Sequence, residues 1–145
     1  MNFELNEDQN ALREAFARFL DQESSMERVR AALPSGFDRE LWRQLAELGA
    51  FGLRVPESAG GLGLGLIEAV TLLEDAGRTL ASGPLAESLL AARLLTKATG
   101  GEAATWLAQI LSGEKVVTLA LHDLAEQPDQ WLAGGGIADA AVARD

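Results

Sequence analysis

Apolar residues recur every three or four positions over most of the first 113 residues, and this spacing constrains the fold more than any other feature. The first such segment follows Asn6 and Gln9, which stand in the positions of a helix capping box. Comparable segments lie near residues 25–33, 38–48, 66–77, 85–99 and 102–111, each bounded by Gly, Pro or Ser. The sequence therefore predicts a mainly α protein, a bundle of about five to six helices.

The same spacing predicts which side chains form the core. In the segment near 66–77, the buried stripe is predicted to consist of Ile67, Val70, Leu73, Ala69 and Ala76. The tryptophans are also predicted to pack in the core: Trp42, Trp106 and Trp131. Trp131 follows a polar segment and precedes a glycine run, so a place beside a cofactor is a second interpretation for it.

The pattern changes after Gly113. Residues 115–121, KVVTLAL, are β-branched at their start and bounded by turn residues, which predicts a strand. Residues 137–142 could form a second strand, and residues 53–55 have strand-like composition. A pair of strands is marginal without further cover. We therefore expect a helical N-terminal domain at 1–113 and, at 114–145, a short β appendage that is the partial start of a β-domain.

Composition excludes several classes of protein. The net charge of the 145 residues is −10, which argues against nucleic-acid binding because that needs basic patches. There is no cysteine and only one histidine, so disulfides, thiolate catalysis and a histidine-rich metal site are excluded, and no metal is predicted. The acidic start does not resemble a signal peptide, and no apolar run is long enough to span a membrane. These features predict a cytoplasmic protein.

The stretch RVPESAGGLGLG, residues 54–65, raises the question of phosphate binding. A P-loop needs a lysine after its last glycine, and none is present here. A dinucleotide fingerprint needs a third glycine where Leu66 stands. The residues therefore favour a tight connection whose glycines allow close backbone approach, while anion binding at the start of the following helix stays open.

No complete active site is recognisable from residue chemistry. Glu74 and Asp75 are neighbours in a predicted helix and point apart, so they form no acid–base pair. His122 and Asp123 have no accompanying serine or cysteine nucleophile. No residue is therefore assigned as catalytic.

The glycine stretch and its surroundings resemble the acyl-CoA dehydrogenase family. Val55-Pro56-Glu57 and Gly60-Gly61-Leu62-Gly63 match the family's loop of the type VPEEYGGLGLG. The opening helix at residues 6–13, the Leu41-Trp42 segment and the LSGEK step at 111–115 are similar as well. The likeness covers about residues 3–121 and resumes at Ile137.

This resemblance implies a helical N-terminal domain, an FAD-binding β-domain and a C-terminal helical bundle with the catalytic glutamate. The implied reaction is α,β-dehydrogenation of an acyl-CoA thioester, an oxidoreductase activity of fatty acid or lipid metabolism. It implies a substrate pocket lined by Glu87, Leu85, Gly61 and Gly63, and flavin contacts near Leu121 and His122. Relatives assemble as homo- or hetero-oligomers of dehydrogenase subunits.

The sequence departs from the family pattern after the first strand. Where the family shows TEP..GSD, this chain has LHDLAEQ at 121–127, and the family's catalytic base is expected beyond residue 145. Two hypotheses follow. The chain is the N-terminal part or a supporting subunit of such an enzyme, or it is a non-catalytic helical interaction module. The first predicts exposed apolar surface at Leu62, Leu64 and Leu66, and the second a covered edge on the strand at 116–121.

Overall fold

A computed structural model describes residues 4–98 and 100–143. In these residues six α-helices precede a two-stranded sheet, which confirms the predicted mainly α fold with a short β appendage. The helices are α1 (Glu7–Glu23), α2 (Met26–Ala32), α3 (Arg39–Glu47), α4 (Leu66–Arg78), α5 (Leu85–Leu95) and α6 (Gly101–Leu111). The strands are β1 (Val117–Leu119) and β2 (Ala140–Val142).

The helix starts follow directly from local sequence. The Gln9 backbone N–H donates to Asn6 Oδ1 at 2.8 Å, and the Asn6 backbone N–H donates to Gln9 Oε1 at 3.0 Å, which completes the predicted capping box. Asp38 begins α3 in the same way, by accepting from the Leu41 backbone N–H. At its other end Gly49 takes a left-handed conformation with φ 80°, which ends the helix.

The core lies around α5 and the short turn at 50–52. Helix α5 packs against β1, α6 and this turn, while α4 packs mainly against α1. Trp42 and Phe51 are fully buried at the centre, with ring centroids 4.4 Å apart. Trp42 therefore packs as predicted. Trp131 does not: its side chain is fully exposed, so the prediction that it belongs to the core was wrong.

Two predicted details of secondary structure and packing differ from the fold. Residues 53–55 form a turn between two short 3₁₀ segments rather than a strand. On α4 the buried face contains Ala69, Leu72 and Ala76, whereas Ile67 and Val70 are exposed. Helix α4 packs mainly against α1, and its alanine-bearing side is buried while its β-branched side is exposed.

The sheet is parallel, with Val117 opposite Ala140 and Leu119 opposite Val142. Asp139 fastens β2 to β1, because its Oδ2 accepts from the Val116 backbone N–H at 2.9 Å and its Oδ1 accepts from Lys115 Nζ at 3.0 Å. So short a sheet needs cover, and β1 obtains it by burial against α5. The division into domains at 1–113 and 114–145 stays a prediction.

We expect Asp38→Asn to make stability less dependent on pH. Arg28 donates to both Asp38 oxygens, at 2.8 and 3.0 Å, and this hydrogen bonding holds the pKa of Asp38 below its usual value of 3.8. The ion pair therefore stabilises the fold above about pH 4, and the stabilisation is lost as the pH falls through the lowered pKa. Asparagine keeps the helix cap but not the charge.

Urea unfolding of both proteins at pH 7 and at about pH 3 measures this effect. The variant should be less stable by about 1 kcal/mol at pH 7. The difference should be smaller at the lower pH, because the stabilisation is lost as the pH falls toward and through the lowered pKa of Asp38. A difference that is the same at both pH values would contradict the assignment of the pKa shift to this ion pair.

Candidate functional site

A surface cleft of about 480 Å³ lies where three separate segments meet. One wall is the start of α5, the second is the turn after α2, and the third is the turn that precedes β2. The lining residues of the three walls are Gly83, Pro84 and Glu87; Ser35 and Gly36; and Ala133, Gly134, Gly136 and Ile137. The cleft is thus built largely from backbone and small residues.

Glycines set the shape of this cleft. Gly134 has φ +62°, and a Cβ placed there would lie 2.8 Å from Pro84 Cγ, so the first and third walls touch at this point. Gly83 has φ +121° and lies against the Trp42 ring: a Cβ placed at Gly83 would be 2.9 Å from Trp42 Cζ3. Gly136 differs, because a Cβ there would meet no atom within 4 Å. Gly136 is therefore a lining residue at which a Cβ has free space.

Glu87 is the one charged residue among those that line the cleft. It lies in the first turn of α5, where the helix dipole favours a carboxylate. None of the ion pairs among the described residues involves it. Glu87, one of the predicted pocket residues, thus lines this cleft.

Helix α5 carries a second apolar side that the helical periodicity alone did not assign. Leu90 and Leu94, which are 43% and 45% exposed, follow Glu87 at positions i+3 and i+7 and therefore share its outward side. Leu85 and Leu89 are buried on the core side. The sequence signal was available, because the sequence of α5 is apolar on both sides, a pattern typical of helices that are buried all round.

Leu85 is buried in the core, and the lining of the cleft does not include it. The lining also includes neither Gly61 nor Gly63. The structure therefore brings Glu87 into the cleft but not the other three predicted pocket residues, and the roles of all four toward a substrate stay predictions.

The glycine stretch makes hydrogen bonds within its own neighbourhood. The backbone N–H groups of four successive residues, 61–64, donate to carbonyl oxygens of Pro56, Gly52, Val55 and Leu53 at 2.7–3.1 Å. Each of these donors already has a protein acceptor, so none points to a phosphate. Gly61 packs directly on Val55, where a Cβ would collide with backbone. The interpretation as a tight connection is therefore the one that the structure supports.

The start of α4, where anion binding had stayed open, is occupied by the chain's own carboxylate. Glu68 Oε1 accepts from Gln9 Nε2 at 2.9 Å. Hydrogen bonds from Gln9 and from the backbone of Glu68 and Gly65 lower the pKa of this carboxyl. A negative group already sits at the helix N-terminus, which disfavours a second anion there.

Leu121 and His122, the predicted flavin contacts, lie just after β1. Leu121 is 78% exposed. The His122 backbone N–H donates to Gln130 Oε1 at 3.0 Å, and its carbonyl accepts from Gln130 Nε2 at 3.1 Å. Both backbone groups are therefore already paired, and the described residues do not form a flavin site by themselves. The role of the two residues stays a prediction.

Apolar side chains also cluster on the outside of the glycine stretch and α4. We call this surface the outer apolar patch, and its members are 38–59% exposed: Leu62, Leu64, Leu66, Ile67 and Val70. The exposure of Leu62, Leu64 and Leu66 was predicted by the hypothesis that the chain is part of an enzyme and packs against further polypeptide. The interaction-module hypothesis predicted that the edge of β1 is covered, and β2 covers one of its two edges.

Comparison with known proteins identifies the family. Residues 6–114 match the family model "Acyl-CoA dehydrogenase, N-terminal domain". The acyl-CoA dehydrogenase IpdE2 of Mycolicibacterium smegmatis is 34% identical over 144 residues, which are 97% of this chain and 43% of that protein. The chain belongs to the acyl-CoA dehydrogenase family, and the predicted resemblance is confirmed.

Solved structures agree with this assignment. A variant of the Tcur3481–Tcur3483 steroid ACAD superposes with a TM-score of 0.72 at 34% identity, over 81% of this chain and 33% of that one. The ChsE4–ChsE5 complex of Mycobacterium tuberculosis has the same fold, with a TM-score of 0.68 at 21% identity over 85% of this chain and 32% of that one. This chain thus spans less than half the length of these relatives.

Two further properties concern membranes and metals. Among the residues that the structure describes, no helix reaches the length and apolarity that a membrane crossing requires. Within 4–98 and 100–143, no three or more His, Cys, Asp or Glu side chains are grouped so that they could hold a metal ion.

Proposed function

We propose that this chain forms the N-terminal wall of the acyl pocket in a flavin-dependent acyl-CoA dehydrogenase, which carries out α,β-dehydrogenation of an acyl-CoA thioester. The observation that carries the proposal is the outward side of α5, where Glu87 enters the cleft and Leu90 and Leu94 continue as an exposed apolar stripe. An acyl group is apolar over most of its length, and burial of that surface would provide the binding energy.

The dimensions of the stripe suit such a ligand. Leu94 lies seven positions after Glu87, which at the rise of an α-helix is about 10 Å. Apolar pockets with few polar groups are the usual form of small-molecule sites. Glu87 would be the polar group of this wall and would disfavour acyl groups that carry a negative charge near it, because unscreened like charges repel.

Further polypeptide would complete the enzyme. The outer apolar patch offers surface for it, and the short span of the chain relative to its relatives supports the same view. FAD and the catalytic base would be held largely by that polypeptide, which would come from the same chain or from another subunit of a homo- or hetero-oligomeric dehydrogenase in the cytoplasm. A supporting subunit without its own catalysis is included in this proposal.

Isothermal titration of the purified chain with octanoyl-CoA tests the proposal, and free CoA serves as the ligand control. Octanoyl-CoA should bind and free CoA should bind at least tenfold more weakly, since the acyl group makes the apolar contacts. Gly136→Phe should weaken binding at least tenfold, because it adds a large side chain at a residue that lines the cleft and a Cβ there meets no protein atom within 4 Å. Gly101→Phe is the matched control, since Gly101 also has open space and lies outside the cleft lining.

Thermal unfolding of each variant shows whether it is folded. Absence of octanoyl-CoA binding to the folded wild-type chain at about 1 mM ligand would contradict the proposal. That result would favour the alternative, a helical interaction module without a substrate. The pairing of β1 with β2 is the observation that supports this second candidate.

A further inference from the structure

We infer that two buried hydroxyl groups, those of Ser88 and Thr118, are positioning residues that hold opposite walls of the cleft in place. The inference rests on the proposed function in one respect: it assumes that the cleft is the ligand site. The geometry itself is independent of which ligand binds. Neither residue lines the cleft, so each would act through the wall to which it is bonded.

Ser88 fixes the α5 wall. It is fully buried and directly follows Glu87, and its Oγ donates to the Val117 carbonyl oxygen at 2.7 Å. Val117 is the first residue of β1. The helix that presents Glu87 to the cleft is therefore joined to the strand by a short, directional contact.

Thr118 fixes the opposite wall. It is the next residue of β1 and is also fully buried, and its Oγ1 donates to the Ala133 carbonyl oxygen at 2.6 Å. Ala133 is the first residue of the turn 133–137, which forms that wall. Two successive residues of one strand thus connect both walls, which also meet directly where Gly134 lies against Pro84.

The choice of residue supports a positioning role. Thr118 stands among Val116, Val117 and Leu119 in a strand that is otherwise apolar and buried. Valine has nearly the same shape and would suit such a strand, whereas a buried hydroxyl is costly unless it is bonded. The hydrogen bond from this hydroxyl to the Ala133 carbonyl oxygen, at the start of the turn, therefore accounts for threonine rather than valine at position 118. At the other end of the turn, Asp139 supplies a second anchor.

Amide hydrogen exchange measured by NMR tests the inference in the full chain. In the turn, the Ile137 and Ala138 N–H groups both donate to the Gly134 carbonyl oxygen. Thr118→Val should speed exchange at these two amides about tenfold, the effect of one lost hydrogen bond. Exchange within α1 should not change. Thr118→Ser should restore the wild-type rate because it retains the hydroxyl.

The matched control is Thr79→Val. Thr79 is also buried, but its Oγ1 bonds to the Asp75 carbonyl of its own helix, away from the cleft. Octanoyl-CoA affinity is the second readout, and it should weaken about tenfold in Thr118→Val alone. A general loss of packing would not be rescued by serine, which is smaller than valine, so this rescue separates positioning from packing.

Each possible result of these measurements either supports or contradicts the positioning role. If Thr118→Val matches Thr79→Val at the turn amides, the inference is wrong. If the wild-type chain binds no octanoyl-CoA, the proposed function fails, but the exchange rates still test the positioning of the walls. Should Thr118→Val not fold, Ser88→Ala tests the α5 wall instead, and the expected result is faster exchange at the Leu85 and Ser88 amides, which donate to the Gly83 and Pro84 carbonyl oxygens of that wall. Unchanged exchange in that variant would overturn the inference.

Discussion

Gly61→Ala is expected to lower the free energy of unfolding by about 3 kcal/mol, although it adds a single methyl group. The added Cβ would collide with the carbonyl oxygen and the Cβ of Val55. Val55 is fully buried, and the collision is with its backbone as well as its side chain, so no rotamer change can relieve it. One of the two chain segments has to move.

This movement would affect more than one contact. The Gly63 N–H donates to the Val55 carbonyl at 2.8 Å, and the Leu64 N–H donates to the Leu53 carbonyl at 2.7 Å. Both bonds join the segments that the alanine would separate. Each lost backbone hydrogen bond costs about 1 kcal/mol in addition to the steric term. Overpacking alone typically costs 1–3 kcal/mol.

Gly77→Ala is the matched control for this prediction. Gly77 is exposed near the end of α4, and a Cβ there meets no atom within 4 Å. Alanine is the better helix former, so this variant should be more stable by about 0.5–1 kcal/mol. Urea unfolding at neutral pH measures both variants. A loss of less than about 1 kcal/mol for Gly61→Ala would show that the close approach to Val55 is not needed.

Local signals in the sequence predicted the helical part of the fold well. The capping residues Asn6 and Asp38 and the stop at Gly49 act over a few residues, so each can be recognised without knowledge of the rest of the chain. The face of α4 was predicted less well. Periodicity shows that a helix has apolar residues on one side, but not which of two adjoining sides meets α1 and which faces outward.

The candidate site shows a similar division. Glu87 was assigned through resemblance, and the structure places it in a cleft. The third wall of the cleft, at 133–137, was missed because it reaches α5 only through the folding back of the chain after β1. The glycine run at 134–136 was visible, yet its contact with Pro84 joins residues 50 positions apart in the sequence. No periodic pattern encodes such a contact.

Trp42→Ala is expected to have the largest effect on stability, a loss of about 4 kcal/mol. The ring is 1% exposed and lies between two aromatic neighbours, with centroid distances of 5.5 Å to Phe37 and 4.4 Å to Phe51. Its Nε1–H has no acceptor among the described residues, so the stabilisation comes from packing and buried area rather than from a hydrogen bond. Alanine would leave a large cavity at the centre of the core.

The cavity would also remove support from the cleft, because the Trp42 ring lies directly behind Gly83. We therefore expect Trp42→Ala to weaken octanoyl-CoA binding even at temperatures where the variant is still folded. Trp131→Ala is the matched control: its side chain is fully exposed, so its unfolding free energy should stay within about 0.5 kcal/mol of wild type. Urea unfolding followed by circular dichroism measures both. Equal losses in the two variants would mean that Trp42 does not organise the core, since burial is the property in which the two tryptophans differ most.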